Sequence, residues 1–188
     1  MRLVLASQSP RRRDLLDAAG IAYDVGAVDV DERRHGGEAP EVYAERLARE
    51  KATAGARQFP DRAVLGADTV VVVDDEVLGK PRDAEDAVRM LARLSGRSHD
   101  VLTGVAIAHA GRVHSAVDRT RVWFTVLSDA EIEAYVASGE PLDKAGAYAI
   151  QGLASRFIPR IDGSYANVVG LPVTTVVEML KVLGAARL

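Results

Sequence analysis

The sequence predicts an α/β fold built on a mixed, twisted sheet flanked by helices. Three observations carry that expectation. Valine-rich apolar runs of strand length alternate with segments whose apolar residues recur at helical spacing. Two pairs of strand-like runs are joined by turns at Asp74-Asp75 and at Ala110-Gly111. Such hairpins bring in antiparallel pairs that a purely doubly wound sheet lacks. The chain has 188 residues, 48% of them hydrophobic, which suffices for a single domain over 1–188 whose core needs no disulfide or metal.

The elements follow in order. Leu3 to Ala6 is a short buried strand. Ser7-Gln8-Ser9-Pro10 turns into a helix reaching about Ala19, with Ser9 suited to the N-cap, Pro10 to the first helical position and Gly20 to the stop. Residues 21–32 read as extended, with Val28-Asp29-Val30-Asp31 alternating as a strand would, and Arg33 to Glu38 as a loop. Pro40 opens a second helix over about 40–57, with Ala44, Leu47, Ala48, Lys51 and Ala52 on one stripe. Ala63 to Val73 is a strand, and Glu76 to Leu78 returns from its turn. Asp83 caps a third helix with the face Ala87, Val88, Leu91 and Leu94. His99–Ala108 and Val113–Val126 are long strands. Ser128-Asp129-Ala130-Glu131 is a capping box for a helix over 129–138. Ala145 to Ile150 reads as extended and Gly152 to Gly163 as a loop. Pro172 opens a last amphipathic helix.

Composition excludes several functions. There is no cysteine, which removes disulfide scaffolds, thiolate zinc sites, iron–sulfur clusters and thiol nucleophiles. A net charge of −3 and 5% aromatic residues argue against nucleic-acid binding, which needs a dense basic surface or stacking platforms. No apolar run approaches the ~18 residues of a membrane helix. The four apolar residues at the N-terminus precede three arginines, the wrong order for a signal peptide, and Ala186-Arg187-Leu188 offers no cysteine for a lipid. These features point to a cytoplasmic protein without membrane partners. The four histidines lack metalloprotease spacing, and no nucleophile elbow or P-loop is present.

Four constellations could carry chemistry. Ser7-Gln8-Ser9-Pro10-Arg11-Arg12-Arg13 sets hydroxyls and guanidiniums at a helix N-terminus. Cations there oppose the helix dipole, so they suit an anion bound between them and the free backbone N–H groups; a solvated basic first turn is the alternative. Lys51 lies on an apolar stripe and either snorkels at its edge or points inward at a phosphate. Asp68 interrupts an apolar strand, and a buried carboxylate must be paired, metal-bound or functional. Lys80 lies across the hairpin, near Asp68 in a two-residue-turn register and on its face in a three-residue one, as a structural ion pair or as a base beside a phosphate-binding lysine. Gly66 and Gly79 would thin the strands for a ligand. Asp29, Asp31 and Glu32 could share a Mg²⁺ or Mn²⁺ with substrate phosphates, or simply end a strand in solvent. The tip residues Asp74, Asp75 and Glu76 read as a solvated turn.

Taken together, Ala6-Ser7-Gln8-Ser9-Pro10-Arg11-Arg12, Arg49-Glu50-Lys51-Ala52, Gly66-Ala67-Asp68-Thr69-Val70-Val71 and Leu78-Gly79-Lys80-Pro81 resemble the Maf family of nucleoside triphosphate pyrophosphatases. Leu94-Ser95-Gly96-Arg97, Thr103-Gly104-Val105, Tyr148-Ala149-Ile150-Gln151-Gly152, Gly163-Ser164-Tyr165 and Asn167-Val168-Val169-Gly170-Leu171-Pro172 continue the series in order. The chain departs from it at Ala147 and Ala154, where the family commonly has glycine.

The resemblance implies a two-lobed fold with a central cleft, like that of inosine-triphosphate pyrophosphatases, and a homodimer. It implies hydrolysis of a nucleoside triphosphate to the monophosphate and pyrophosphate with a divalent cation (Mg²⁺, Mn²⁺ or Co²⁺). By position, Asp68 would be the general base, and Arg11, Thr69 and Gln151 match the dTTP/UTP-type subfamily. Ser7, Arg12, Glu32, Lys51 and Lys80 match further active-site positions, with Glu32 and Asp68 the expected metal ligands. A house-cleaning pyrophosphatase for purine or modified nucleotides is an alternative, as is a non-enzymatic nucleotide-binding regulator of septum formation.

Overall fold

The computed structural model describes residues 2–184. The C-terminal Ala186-Arg187-Leu188, which carries the expectation of no lipid anchor, lies outside the described residues. Among the described residues, seven strands form one mixed sheet in the order β2-β1-β3-β5-β6-β7, with β4 paired to β3. The chain divides into two compact units, residues 1–69, 103–118 and 170–188 in the first and 70–102 and 119–169 in the second.

In the first unit, β1 (Leu3–Leu5) pairs in parallel with β2 (Tyr23–Val25) and with the start of β3 (Val64–Val73). Side chains alternate across this sheet, and the two faces bury different helices. Leu3, Leu5, Leu65, Ala67, Val105 and Ile107 meet Leu16 of α1 (Pro10–Ala18) and Val176 and Leu180 of α6 (Val173–Val182). On the other face lies α2 (Pro40–Gln58), whose Ala48 and Ala52 pack with Ala106 and Ala108 of β5 (Ser98–His109).

The helix can come this close because Gly66 and Gly104 have no side chains. A Cβ on Gly66 would stand 2.3 Å from the Ala48 carbonyl oxygen, and one on Gly104 would stand 2.2 Å from that of Ala44. Gly66 therefore seats a helix rather than admitting a ligand. Gly79 has nothing within 4 Å of such a Cβ and makes no such contact.

The segment Val28-Asp29-Val30-Asp31 is not a strand. Its alternation is genuine, but β1 is only three residues long and pairs with 23–25, leaving no partner edge. Val28 instead packs against the cluster of Val4, Ala6 and Val64.

The second unit has its own core, with Leu91, Leu94, Val101, Phe124, Tyr135, Tyr148 and Phe157 among its buried members. The end of β3 and β4 (Glu76–Leu78) form a hairpin pairing Val73 with Glu76 and Val71 with Leu78. Asp74 and Asp75 both take positive φ, as a two-residue turn requires. The ladder thus adopts the two-residue register and ends before Lys80.

Asp83 accepts the Asp86 N–H and caps α3 (Ala84–Leu94), and the capping box of α4 (Asp129–Ala137) is formed in full. Residues 145–150 form no strand, although Tyr148 has extended backbone. Ala145–Ala147 is a 3-10 turn in which Gly146 and Ala147 have positive φ. The loop expected over 152–163 holds a 3-10 turn, Leu153–Phe157, and a strand, β7 (Arg160–Asp162), paired with β6 (Arg112–Trp123). A short helix, α5 (Tyr165–Val169), completes the unit. The acidic hairpin tip is not simply solvated, since Asp74 pairs with Arg97 and Glu76 with Arg93.

Candidate functional site

The first unit gathers most of the predicted residues around the middle of β3, where strand alternation sends neighbouring side chains to opposite faces. Asp68 shares the face of Gly66 and so looks toward α2. Thr69 shares the face of Ala67 and looks toward α1.

On the α2 side, Lys51 sits one turn beyond Leu47 and Ala48, on the buried stripe. Its ammonium lies 2.7 Å from Asp68 Oδ1 and 2.6 Å from Glu32 Oε1. The Lys51 side chain is only 11% exposed and that of Asp68 14%, whereas Glu32 is 59% exposed. Lys51 is thus no snorkelling lysine but the cation that accompanies the interrupted strand.

Glu32 reaches this point from a segment without regular structure, which α2 fastens down. Tyr43 donates its hydroxyl to the Glu32 carbonyl at 2.7 Å. Burial, followed by the charges of Asp68 and Glu32, raises the Tyr43 pKa. Arg46 donates to the Arg33 carbonyl and pairs with Glu38 at 2.7 Å, an ion pair that holds the Glu38 carboxyl at about 2. Of the other two acids in this stretch, Asp31 pairs with the neighbouring Arg33 and Asp29 is exposed. Among the described residues, no group of three or more His, Asp or Glu side chains is placed to hold a metal ion by itself.

On the α1 side, Arg12 is held at three points. Its Nε donates to the Gly170 carbonyl at 2.8 Å, Nη1 to Ser7 Oγ at 3.0 Å and Nη2 to Thr69 Oγ1 at 3.3 Å. Thr69 Oγ1 is in turn 2.9 Å from Thr103 Oγ1 on β5. Burial pushes the Arg12 guanidinium below its ordinary value, Asp68 pulls it back up, and Arg11 lowers it further.

Ser9 occupies the N-cap position of α1 but makes no side-chain cap; its N–H donates to Ser7 Oγ at 3.2 Å instead. The first turn carries no acid to match the dipole, so the helix terminus and the arginines present one concentrated positive end. Ser7 and Thr103 are buried, and Arg11 lies partly buried in the same turn.

Lys80 and Gln151 belong to the second unit. Lys80 is exposed just after β4. Gln151 is exposed at the third position of the turn 149–152, which Gly152 closes by donating to the Ala149 carbonyl at 3.0 Å. Two contributors to the first-unit network were not singled out for a role by sequence reasoning: Thr103 and the Gly170 carbonyl. Both stand in motifs of the ordered series, but a buried hydroxyl contact and a carbonyl direction leave no residue-type signal.

A family model described as Maf-like protein matches residues 2–183. A Vibrio cholerae protein called dTTP/UTP pyrophosphatase is 54% identical over 180 residues, covering 95% of this chain and 96% of that protein. A Geobacter metallireducens protein of the same name is 56% identical, with 98% and 97% covered. One from Myxococcus xanthus is also 56% identical, with 97% and 92% covered. Among solved structures, the Staphylococcus aureus Ham1 protein aligns over 69% of this chain and 73% of its own at 17% identity, with a TM-score of 0.45.

Proposed function

Because this chain belongs to the Maf family, we propose that it hydrolyses dTTP and UTP to the nucleoside monophosphate and pyrophosphate. The observation that carries the chemistry is the pairing of Asp68 with Lys51 next to the arginine-rich N-terminus of α1. A carboxylate that can take a proton stands beside an assembly of donors suited to polyphosphate. A binder alone has no use for the first.

In this reading Asp68 takes a proton from a water through its second oxygen, Lys51 having engaged Oδ1. That water attacks the α-phosphorus in line, and pyrophosphate leaves. Arg12, fixed by Gly170, Ser7 and Thr69, meets the developing charge without having to be ordered during the reaction. Lys51 moderates charge on the attacking side. By the family resemblance, Lys80 serves the phosphates of the same substrate, and Arg11, Thr69 and Gln151 serve recognition. A glutamine amide has both a donor and an acceptor, which matches the imide edge of uracil and thymine.

The donor set at Lys51 also fits a divalent cation. Two carboxylates, Glu32 and Asp68, converge on one small positive group, and a hard cation such as Mg²⁺, Mn²⁺ or Co²⁺ takes one or two carboxylates and completes its sphere with substrate phosphates. When bound, it would neutralise phosphate charge. The reading further takes the enzyme as a cytoplasmic homodimer, following its substrates and the family resemblance. Among the described residues no helix is long and apolar enough to cross a membrane.

A panel of nucleoside triphosphates with pyrophosphate detection in Mg²⁺, Mn²⁺ and Co²⁺ tests the reading. It expects pyrophosphate from dTTP and UTP ahead of the purine nucleotides. Preference for purines, or no pyrophosphate with any nucleotide or metal, would reject it.

A further inference from the structure

The second unit contains a closed set of hydrogen bonds around Gln151 that the reaction as described does not use. Gln151 stands on the turn 149–152, and the backbone N–H groups two residues to either side of it are both captured by one pair of side chains. Ala149 N–H donates to the Tyr135 hydroxyl at 3.2 Å, and Tyr135 donates to Glu140 Oε1 at 2.8 Å. Leu153 N–H donates to Glu140 Oε2 at 3.0 Å. One carboxylate therefore closes a loop of bonds on both flanks of the turn.

The turn also packs against that carboxylate. A Cβ on Gly152 would stand 2.4 Å from both Glu140 oxygens, so the turn lies directly against them. Tyr135 is fully buried, and Glu140 is half-buried at the start of a 3-10 turn, Glu140–Asp143. Upstream, Tyr148 is fixed by a 2.7 Å bond between its hydroxyl and His99 Nε2 and by edge contact with Phe124. The backbone under Gln151 is thus tied down on both flanks although its side chain is exposed. A charge-assisted acceptor with two donors has far less freedom than a neutral one.

We propose that Glu140, relayed in part through Tyr135, is the positioning residue that fixes the Gln151 amide for reading the pyrimidine base. The assignment rests on the proposed dTTP/UTP activity. Glu140 touches neither base nor phosphate in this role. It sets the angle at which Gln151 meets the base, so its loss should be felt in discrimination between bases more than in turnover on the phosphates. Uracil and cytosine make the sharpest pair, since they present opposite donor–acceptor patterns to an amide.

The test measures kcat and KM for UTP and CTP in wild type, Glu140→Gln, Tyr135→Phe, Gln151→Ala and the double variant Glu140→Gln/Gln151→Ala, with a melting curve for each. A glutamine at 140 keeps one acceptor and faces the second donor with an N–H₂. The expected result is a fall of about tenfold in the UTP-over-CTP ratio of kcat/KM in Glu140→Gln, carried mainly by KM for UTP, within the range of couplings between contacting residues. Tyr135→Phe, which frees only the Ala149 side, should give a smaller fall. In the Gln151→Ala background, Glu140→Gln should leave the ratio unchanged, because the group it positions is gone.

Equal loss on UTP and CTP, or effects of Glu140→Gln and Gln151→Ala on the ratio that simply multiply, would overturn the proposal. If Glu140→Gln does not fold, the comparison of Tyr135→Phe with and without Gln151→Ala decides by the same criterion. Wild-type protein that releases no pyrophosphate from UTP would reject the activity itself, and the positioning role with it.

Discussion

Lys51 holds two carboxylates on one ammonium, and this concentrates the proposed chemistry in a single contact. Removing the Asp68 charge while keeping its shape separates catalysis from binding. Asp68→Asn can still accept from Lys51 at one oxygen but cannot take a proton from water. Turnover on dTTP should fall at least about a hundredfold, the lower range for a lost general base, with KM changed by no more than a few-fold. Steady-state kinetics with pyrophosphate detection checks this, and near-normal kcat would remove Asp68 from the role. Sequence spacing was sufficient to mark Asp68 as needing a partner. It pointed to Lys80 through the hairpin, whereas the structure supplies Lys51 from α2. A side-chain length and a helix rotation decided that pairing, and neither is visible in a pattern of residue types.

At the scale of elements, α2 is the part that brings the site together. It places Lys51 under β3 and fastens the Glu32 segment through Tyr43 and Arg46. Its seat is two glycines. Gly66→Ala would force a methyl into the Ala48 carbonyl and the Ala52 nitrogen, which are backbone atoms and cannot rotate away. Overpacking of this kind costs about 1–3 kcal/mol. Because the displaced helix carries Lys51, activity should fall as well. Urea unfolding and kcat/KM measured together check it, and a variant with unchanged values in both would show that the helix has room.

Most helices and strands were legible from period and caps, including Asp83 and the Ser128 box, because those signals are local. The failures have one cause in common. Val28 to Asp31 alternates but has no neighbour to pair with, and Ala145 to Ala147 adopts left-handed backbone at a non-glycine residue. Whether a strand finds an edge, or a residue tolerates strain, is decided by tertiary context.

The whole molecule carries a mild acidity that says little about its ligand, since the cations of α1 and α2 act locally while the negative total is spread elsewhere. One contribution to its pH dependence also arises locally, in the core of the second unit. His99 is 3% exposed between Phe124 and Tyr148, with its Nδ1 lacking a hydrogen-bond partner among the described residues. Burial lowers its pKa to about 4, against a small opposing pull from Asp100.

The unfolded chain therefore binds a proton at this site between about pH 6.5 and 4 that the folded chain refuses. The contribution to stability is present above the unfolded value and is lost as pH falls through that window, by up to ~3 kcal/mol. Urea midpoints across pH 7 to 4 should show this decline, and His99→Gln should flatten it. An equal decline in the variant would assign the acid sensitivity to other groups. Glu38, held at about 2 by Arg46, acts in the same direction but over a lower window, between its unfolded value near 4.5 and its folded one.

In the proposed reaction water attacks the α-phosphorus. Hydrolysis of dTTP in H₂¹⁸O, with mass analysis of both products, tests it most directly. One labelled oxygen in the thymidine monophosphate and none in the pyrophosphate is the predicted result. Label in the pyrophosphate, or inorganic phosphate as the first product, would contradict it.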